Sequence, residues 1–331
     1  MNSFWQDIRK KIKWRYFVQF FFSLVTIGLG IKFIVFLNQT YSGEITWNRP
    51  AGIEGFLPVS ALVGLKAWLS SGIFDYVHPA GLVIFLLIIL VSLLIKRGFC
   101  AWICPVGTLA QWLGKLGKRI FKRNFKLPKG LDYGMRSIKY ILLGIFVLFI
   151  GILFSGAGAQ DFLMTPYNIV ADAQMLGFFQ HMSVVGLVVL SVLVILNVLI
   201  ENFWCRYLCP YGALTGLVSW LSPVKVERSE KTCINCGACT KACPNRIEVE
   251  RLRRVTSPEC TGCLDCIEAC PVKNTLAFKA KGMKKGIPVS LMAVCILMIW
   301  FGVIEIAKLT GHWDSRIPQD MYIYYLHILK S

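Results

Sequence analysis

Five long apolar stretches punctuate the chain, at Tyr16–Leu37, Ala80–Ile95, Ile138–Gly156, Met182–Ile200 and Ile287–Ala307. Buried core helices of a soluble protein are the alternative reading, but five such runs with charge-rich ends argue for membrane spans. Each approaches the roughly 20 residues that a helix needs to cross a hydrocarbon layer. The second is the shortest: from His78 to Lys96 it covers ~27 Å at ~1.5 Å per residue, just enough to span. A different pattern follows it. Leu109, Trp112, Leu113, Leu116 and Ile120 recur at helical spacing, while Lys115, Lys118, Arg119 and Lys122 keep to the other side. That pattern predicts an amphipathic helix in the headgroup region.

Composition agrees. Hydrophobic residues make up 56% of the 331 residues and charged residues only 16%, which excludes an ordinary soluble domain. Lysine and arginine alternate from one side to the other. They crowd the N-terminal stretch (Arg9, Lys10, Lys11, Lys13, Arg15), the loop after the second span (Lys96 to Arg136) and the loop between the fourth and fifth (Arg251, Arg253, Arg254, Lys281, Lys284, Lys285). The remaining loops and the tail carry Glu44, Glu54, Asp75, Asp161, Asp172, Asp314 and Asp320. The positive-inside rule then puts the amino terminus in the cytoplasm and the tail from Lys308 outside, in a multi-pass protein of a bacterial inner membrane. The net charge of +18 reads as topology and attraction to the lipid bilayer, not as a nucleic-acid surface. The first apolar segment is too long for a cleaved leader, and Asn38–Tyr41 offers no small-residue cleavage site.

The chemistry lies in the cysteines. Two copies of C-x2-C-x2-C-x3-C-P stand at Cys233, Cys236, Cys239, Cys243 and at Cys260, Cys263, Cys266, Cys270, with Pro244 and Pro271 closing them. This is the ligand spacing of a two-cluster bacterial ferredoxin, in which the fourth cysteine of each run crosses to the other cube. The first [4Fe–4S] cluster would take Cys233, Cys236, Cys239 and Cys270; the second would take Cys260, Cys263, Cys266 and Cys243. Gly237 and Gly262 supply the tight loops. Four-thiolate zinc sites are the competing reading, but they draw on separated C-x2-C hairpins. Apart from Cys295, a small packing residue in the fifth stretch, every cysteine falls at or beyond the cytoplasmic side, where thiols stay reduced.

The second and fourth stretches end in one repeated phrase, Phe99–Cys100–Ala101–Trp102–Ile103–Cys104–Pro105 and Trp204–Cys205–Arg206–Tyr207–Leu208–Cys209–Pro210. Pro105 and Pro210 suit the first turn of a following helix and bias Cys104 and Cys209 away from helical geometry. If the halves pack together, Cys100, Cys104, Cys205 and Cys209 form an additional four-thiolate centre for iron–sulfur or another thiophilic metal. A redox dithiol in each pair, or plain packing, are the alternatives. At the opposite end of each repeat stand His78 and His181, read either as quinol proton acceptors or as interfacial helix caps. No histidine falls inside a predicted span, so the chain offers no bis-histidine haem. Lys32, Asn197 and Glu305 are polar positions within spans, and the apolar Gly52–Ser70 segment is placed to wall a quinone pocket or pack as a loop.

The order of these motifs, from the first span to about Lys279, resembles the NapH/MauN-type membrane subunits of quinol dehydrogenases, with NosR-like and FixG/CcoG-like proteins as further relatives. The resemblance implies a membrane-bound electron-transfer subunit that exchanges electrons between quinone and partner redox proteins, a ferredoxin-type subunit or a c-type cytochrome. A fifth span and a short tail of residues 308–331 depart from the NapH pattern, and so short a tail cannot form the outer domain of FixG-like proteins.

The expected fold is an all-α membrane protein with five transmembrane helices, plus a small α+β two-cluster ferredoxin-like cytoplasmic insert. Its parts run 1–98 (spans one and two), 99–137 (first C-x3-C-P and amphipathic helix), 138–224 (spans three and four with the second C-x3-C-P), 225–286 (ferredoxin-type) and 287–331 (fifth span and tail). A copper reductase or assembly factor, and a redox-sensing membrane regulator, are the alternative functions for the same clusters.

Overall fold

The computed structural model describes residues 14–43, 46–283 and 285–329. The expected cations Arg9, Lys10, Lys11, Lys13 and Lys284, and the acidic Glu44, lie outside the described residues.

Each apolar stretch forms a helix. Trp14–Ser42, Val289–Leu309 and the continuous helical run Lys129–Leu153 are long and apolar enough to cross a membrane. The last of these ends in a π-helical segment, Val147–Leu153. Pro79–Leu94 has 16 residues, about 24 Å of rise, and falls short of that length. Val184–Leu199 is equally short, but it joins Ala171–Gln180 across an 84° bend. The bend has a local cause. The helix stops at His181, and Ser183 Oγ accepts the Gly186 amide at 3.2 Å, the cap that starts a new helix. Among the described residues three helices thus meet the length criterion, or four when the bent pair is counted as one span.

The described residues divide into two compact units, each discontinuous in sequence. Within the described residues, one comprises residues 14–24, 89–140, 193–283 and 285–299; the other comprises residues 25–43, 46–88, 141–192 and 300–329.

The first unit holds all the cysteines of the two motif types. Its β structure among the described residues is a two-stranded antiparallel ladder, with one isolated bridge between Glu227 and Arg254. Val224–Arg228 pairs with Leu276–Ala280, with Val226 opposite Phe278. Both of these side chains are buried, so the ladder closes the base of the cysteine-rich segment by joining its two ends. The helix Pro105–Phe121 behaves as its pattern predicts on one face. Leu109, Trp112, Leu116 and Ile120 are exposed, whereas Thr108, Gln111, Gly114 and Gly117 are buried. A Cβ on Gly117 would collide with the Val198 carbonyl, so glycine is what lets this helix reach the end of Val184–Leu199.

The second unit is built around Phe33, Phe36, Val63, Ile169, Val170 and Tyr322. The Gly52–Ser70 segment contributes a short 3-10 turn, Ala51–Phe56, and the helix Pro58–Ser71, which place Ile53, Val63 and Ala67 in that core.

Gly117→Ala is expected to destabilise the first unit by about 1–3 kcal/mol through overpacking. Thermal unfolding in detergent checks it, and an unchanged midpoint would contradict the close approach.

Candidate functional site

The two ferredoxin-type runs repeat one backbone solution. Asn235 and Gly237 flank Cys236 with φ of 52° and 70°, and Gly262 and Leu264 flank Cys263 with φ of 63° and 65°. Paired left-handed residues curl each loop around its cysteines. Short helices then carry the third cysteines, Cys239 in Ala238–Lys241 and Cys266 in Asp265–Glu268. Both are buried, while Cys236 is exposed.

The fourth cysteines do not stay with their own loops. Cys233, Cys236, Cys239 and Cys270 line one cavity. Cys260, Cys263 and Cys266 line another together with Cys243. The rest of the latter wall is largely apolar, with Val226, Ile247, Val249, Val255 and Leu264. Water exclusion sets the thiol chemistry there. Burial pushes the Cys243 thiol up to about 11, and it also raises Cys260 and Cys266. At the cavity of Cys233, Cys236, Cys239 and Cys270 the Asn235 amide and Arg228 lower Cys233. The thiols around Cys243 therefore need a cationic centre to hold them ionised. Among the described residues no three His, Cys, Asp or Glu side chains converge as a single metal ion requires. Four thiols spread around a cavity suit a cube, which meets each thiolate at a separate iron. The residues present fit that group.

The repeated C-x3-C-P phrases also fold alike. Phe99–Ile103 and Trp204–Leu208 are π-helical, closed by Cys104 N donating to Phe99 O at 2.9 Å and Cys209 N to Trp204 O at 3.0 Å. Such widened turns often mark functional positions. Cys104 and Cys209 are extended, and the prolines after them open Pro105–Phe121 and Pro210–Trp220. The four thiols lie close enough to act on one another. Burial pushes Cys104 up to about 12, with Cys100 and Cys209 adding to it. Burial likewise raises Cys205, and Cys209, Cys104 and Cys100 add to that. Cys209 Sγ accepts the Gly212 amide at 3.3 Å, and Cys100 Sγ lies 3.6 Å from Thr215 Oγ1.

Arg97 faces this group. Arg97 is 2% exposed, and burial opposes its charge while Cys100, Glu259, Cys205 and Cys209 favour it. A Cβ on Gly212 would stand 2.8 Å from its Nη2, so the glycine two residues after Pro210 makes room for the guanidinium. A third cavity opens between the two chemistries. Cys100 and Cys205 line it with Cys263, Thr261 and Pro244, and Arg15 and Arg97 stand at its wall.

Buried polar contacts fix the second ferredoxin loop against the C-x3-C-P elements. Trp102 Nε1 donates to Gly262 O at 3.1 Å. Arg15 Nη1 donates to Cys263 O and pairs with Asp265, both at 2.9 Å. Glu259, beside Cys260, accepts from Lys139 Nζ at 2.7 Å, Tyr140 OH at 2.9 Å and Arg97 Nη1 at 3.4 Å. On the other repeat, Arg206 grips Asp132 with bonds of 2.8 to 3.0 Å, and Tyr207 donates to the same carboxylate.

The remaining expected site residues lie elsewhere. His78 is fully buried in the second unit, and His181 is exposed. Asn197 spends its amide on Leu193 O and the Trp204 amide, Glu305 pairs with Lys308 on the surface, and Lys32 is exposed. Sequence reasoning missed Arg97, Lys139, Asp132 and Glu259. Lys139 had left a signal, since it falls inside the apolar stretch from Ile138, where a charge needs a partner.

Two sets of four thiols on ferredoxin-type loops, in a chain with membrane-length helices, define an iron–sulfur electron-transfer protein of the membrane. Comparison with known proteins agrees. Residues 77–124 and 182–229 each match a 4Fe-4S binding domain, and residues 225–271 match a 4Fe-4S dicluster domain. The chain is 42% identical to YccM of Escherichia coli (strain K12) over 96% of its own length and 91% of that protein. It is 27% identical to the ferredoxin-type protein NapH of Haemophilus influenzae, covering 81% of the chain and 92% of the relative. It is 31% identical to the methylamine utilization ferredoxin-type protein MauN of Methylorubrum extorquens, over 58% and 62% respectively. No solved structure matches. The chain belongs to the NapH/MauN-type family of ferredoxin-type membrane proteins.

Glu259→Ala leaves Lys139 and Arg97 buried without their carboxylate and is expected to cost about 3–5 kcal/mol. Chemical denaturation of the intact protein measures it. A loss below about 1 kcal/mol would show that water replaces the carboxylate.

Proposed function

We propose that this chain exchanges electrons between membrane quinone and a partner redox protein, a ferredoxin-type subunit or a c-type cytochrome, as a subunit of a quinol dehydrogenase. The observation that carries the reading is the run of thiol groups in one unit. It extends from Cys100, Cys104, Cys205 and Cys209, past the cavity at Cys263, to the two ferredoxin-type sets. In this reading Cys260, Cys263, Cys266 and Cys243 hold the inner cluster, and Cys233, Cys236, Cys239 and Cys270 hold the outer one. The C-x3-C-P thiols hold a further iron–sulfur or thiophilic-metal centre.

Bound iron–sulfur clusters supply one-electron chemistry, at potentials set by hydrogen bonds, charge and exposure. The chain's own residues do the rest. Apolar side chains around Cys243 exclude water, Arg97 offsets thiolate charge, and the exposed Cys236 gives a partner its closest approach. A quinol that becomes quinone loses two electrons and two protons, so the reading also needs proton acceptors. We assign that role to His78 and His181. We take all five apolar helices as spans, with 225–286 inserted between the fourth and fifth. The amino terminus and the insert then face the cytoplasm of an inner-membrane protein. The alternating lysine and arginine content of the loops supports this topology.

Cys270→Ala is expected to abolish the EPR signal of one cube and leave the other. Cys100→Ala and Cys205→Ala are expected to remove a further centre or shift its potential, leaving both cubes in place. A quinol analogue should reduce the centres of the wild type. Reduction of Cu²⁺ with no response to the quinol analogue would replace this reading with that of a metal reductase.

A further inference from the structure

Away from the thiols, the second unit buries charges that the electron-transfer reading does not use. Glu54, Asp75, His78 and Asp172 are each 2% exposed or less. Arg49 joins them from the loop before Ala51–Phe56. Its Nε donates to Asp172 Oδ2 at 2.6 Å, and its Nη2 lies 3.2 Å from Glu54 Oε1. From the C-terminal helix Gln319–Ile328, Tyr322 OH donates to Asp172 Oδ1 at 3.0 Å. These are the titratable and charged groups that face His78.

The imidazole is held in a way that leaves one nitrogen a choice. Nε2 lies 2.6 Å from the Asn168 carbonyl oxygen, which can only accept, so Nε2 carries a hydrogen throughout. Nδ1 lies 3.1 Å from Arg49 Nη2 and 3.3 Å from Glu54 Oε1. A neutral ring accepts from the guanidinium there, and an imidazolium donates to the carboxylate instead. Asp75 offers a second place. Its Oδ1 accepts the Val77 and His78 amides at 2.9 and 3.1 Å, while its buried Oδ2 has no hydrogen-bond partner among the described residues.

Charge counting makes the vacancies matter. Three carboxylates against one guanidinium leave an excess of two negative charges if nothing else is protonated. Uncompensated buried charge costs several kcal/mol per ion, and two protons remove the excess. We infer that Nδ1 of His78 and Oδ2 of Asp75 form a buried two-proton exchange site, set against the fixed Arg49–Asp172 pair. Burial raises the Asp75 carboxyl, in keeping with a proton on Oδ2. The site's link to quinol rests on the function proposed above, since it would take protons that quinol releases. The proton binding itself does not.

The test uses the full-length protein, oxidised and free of quinone, labelled with 15N-histidine and 13C-aspartate. Between pH 9 and pH 5, NMR should show one imidazole that keeps Nε2–H throughout and gains Nδ1–H. That signal should vanish in His78→Gln, and in Glu54→Gln its midpoint should fall, with proton affinity reduced about tenfold or more. Infrared difference spectra should show a buried carboxylic acid band that shifts with the 13C label and is lost in Asp75→Asn. The labelled wild type answers even where a variant does not fold. A His78 ring that never binds a proton on Nδ1, or the absence of any 13C-sensitive carboxylic acid band, would overturn the inference. If the site titrates while quinol analogues reduce nothing, the quinol reading fails and the proton site stands.

Discussion

The Glu259 carboxylate is the contact on which the arrangement of redox groups depends. It follows directly from its place beside Cys260, and it binds Lys139, Tyr140 and Arg97 at once. One anion therefore fixes the loop of the inner ferredoxin-type set to the helix from Lys129 and to the cation among the C-x3-C-P thiols. Each partner is expensive to bury alone, and together they satisfy one another. Electron transfer requires fixed separations, and a buried ionic junction holds them where a flexible linker would not. Trp102, Arg15 and Lys96 hold the same loop, the last by donating to the Thr256 and Ser257 carbonyls at 3.3 Å.

Repetition explains much of the rest. Two C-x3-C-P phrases give two π-turns, two extended cysteines and two proline-started helices, and the glycines after the prolines keep the turns open. Two ferredoxin-type runs give two loops with left-handed residues at matching positions. Asn235 and Gly237 do in one loop what Gly262 and Leu264 do in the other. The repeats differ in their cations. Arg97 turns toward thiols, whereas Arg206 is spent on Asp132, so a duplicated scaffold has been given unequal charge.

Legibility in the sequence followed the strength of the local constraint. Cysteine spacing is a covalent ruler, so the iron–sulfur family was readable from residues 233–271 alone. The effect of Pro105 and Pro210 on Cys104 and Cys209 was readable for the same reason. The number of spans was less so, because a short apolar helix such as Pro79–Leu94 and a bent pair such as Ala171–Gln180 with Val184–Leu199 are decided by tertiary packing. The buried ionic groups were hardest. Asp132, Glu259 and Arg97 sit in charge-rich segments, where one residue with a partner far along the chain looks like any other. The pairing of His78 with His181 as equivalent ends of a repeat is not reflected in their surroundings, since one is enclosed by carboxylates and the other is exposed.

Eight thiols on two curled loops are placed to hold cubes of iron and sulfide inside a membrane protein. Mössbauer spectroscopy of anaerobically prepared 57Fe-enriched protein, with acid-labile sulfide determined on the same sample, tests it most directly. Quadrupole doublets of [4Fe–4S] clusters are expected, with at least about eight iron and eight sulfide per chain. Protein that carries zinc, with neither iron nor sulfide in stoichiometric amount, would contradict it.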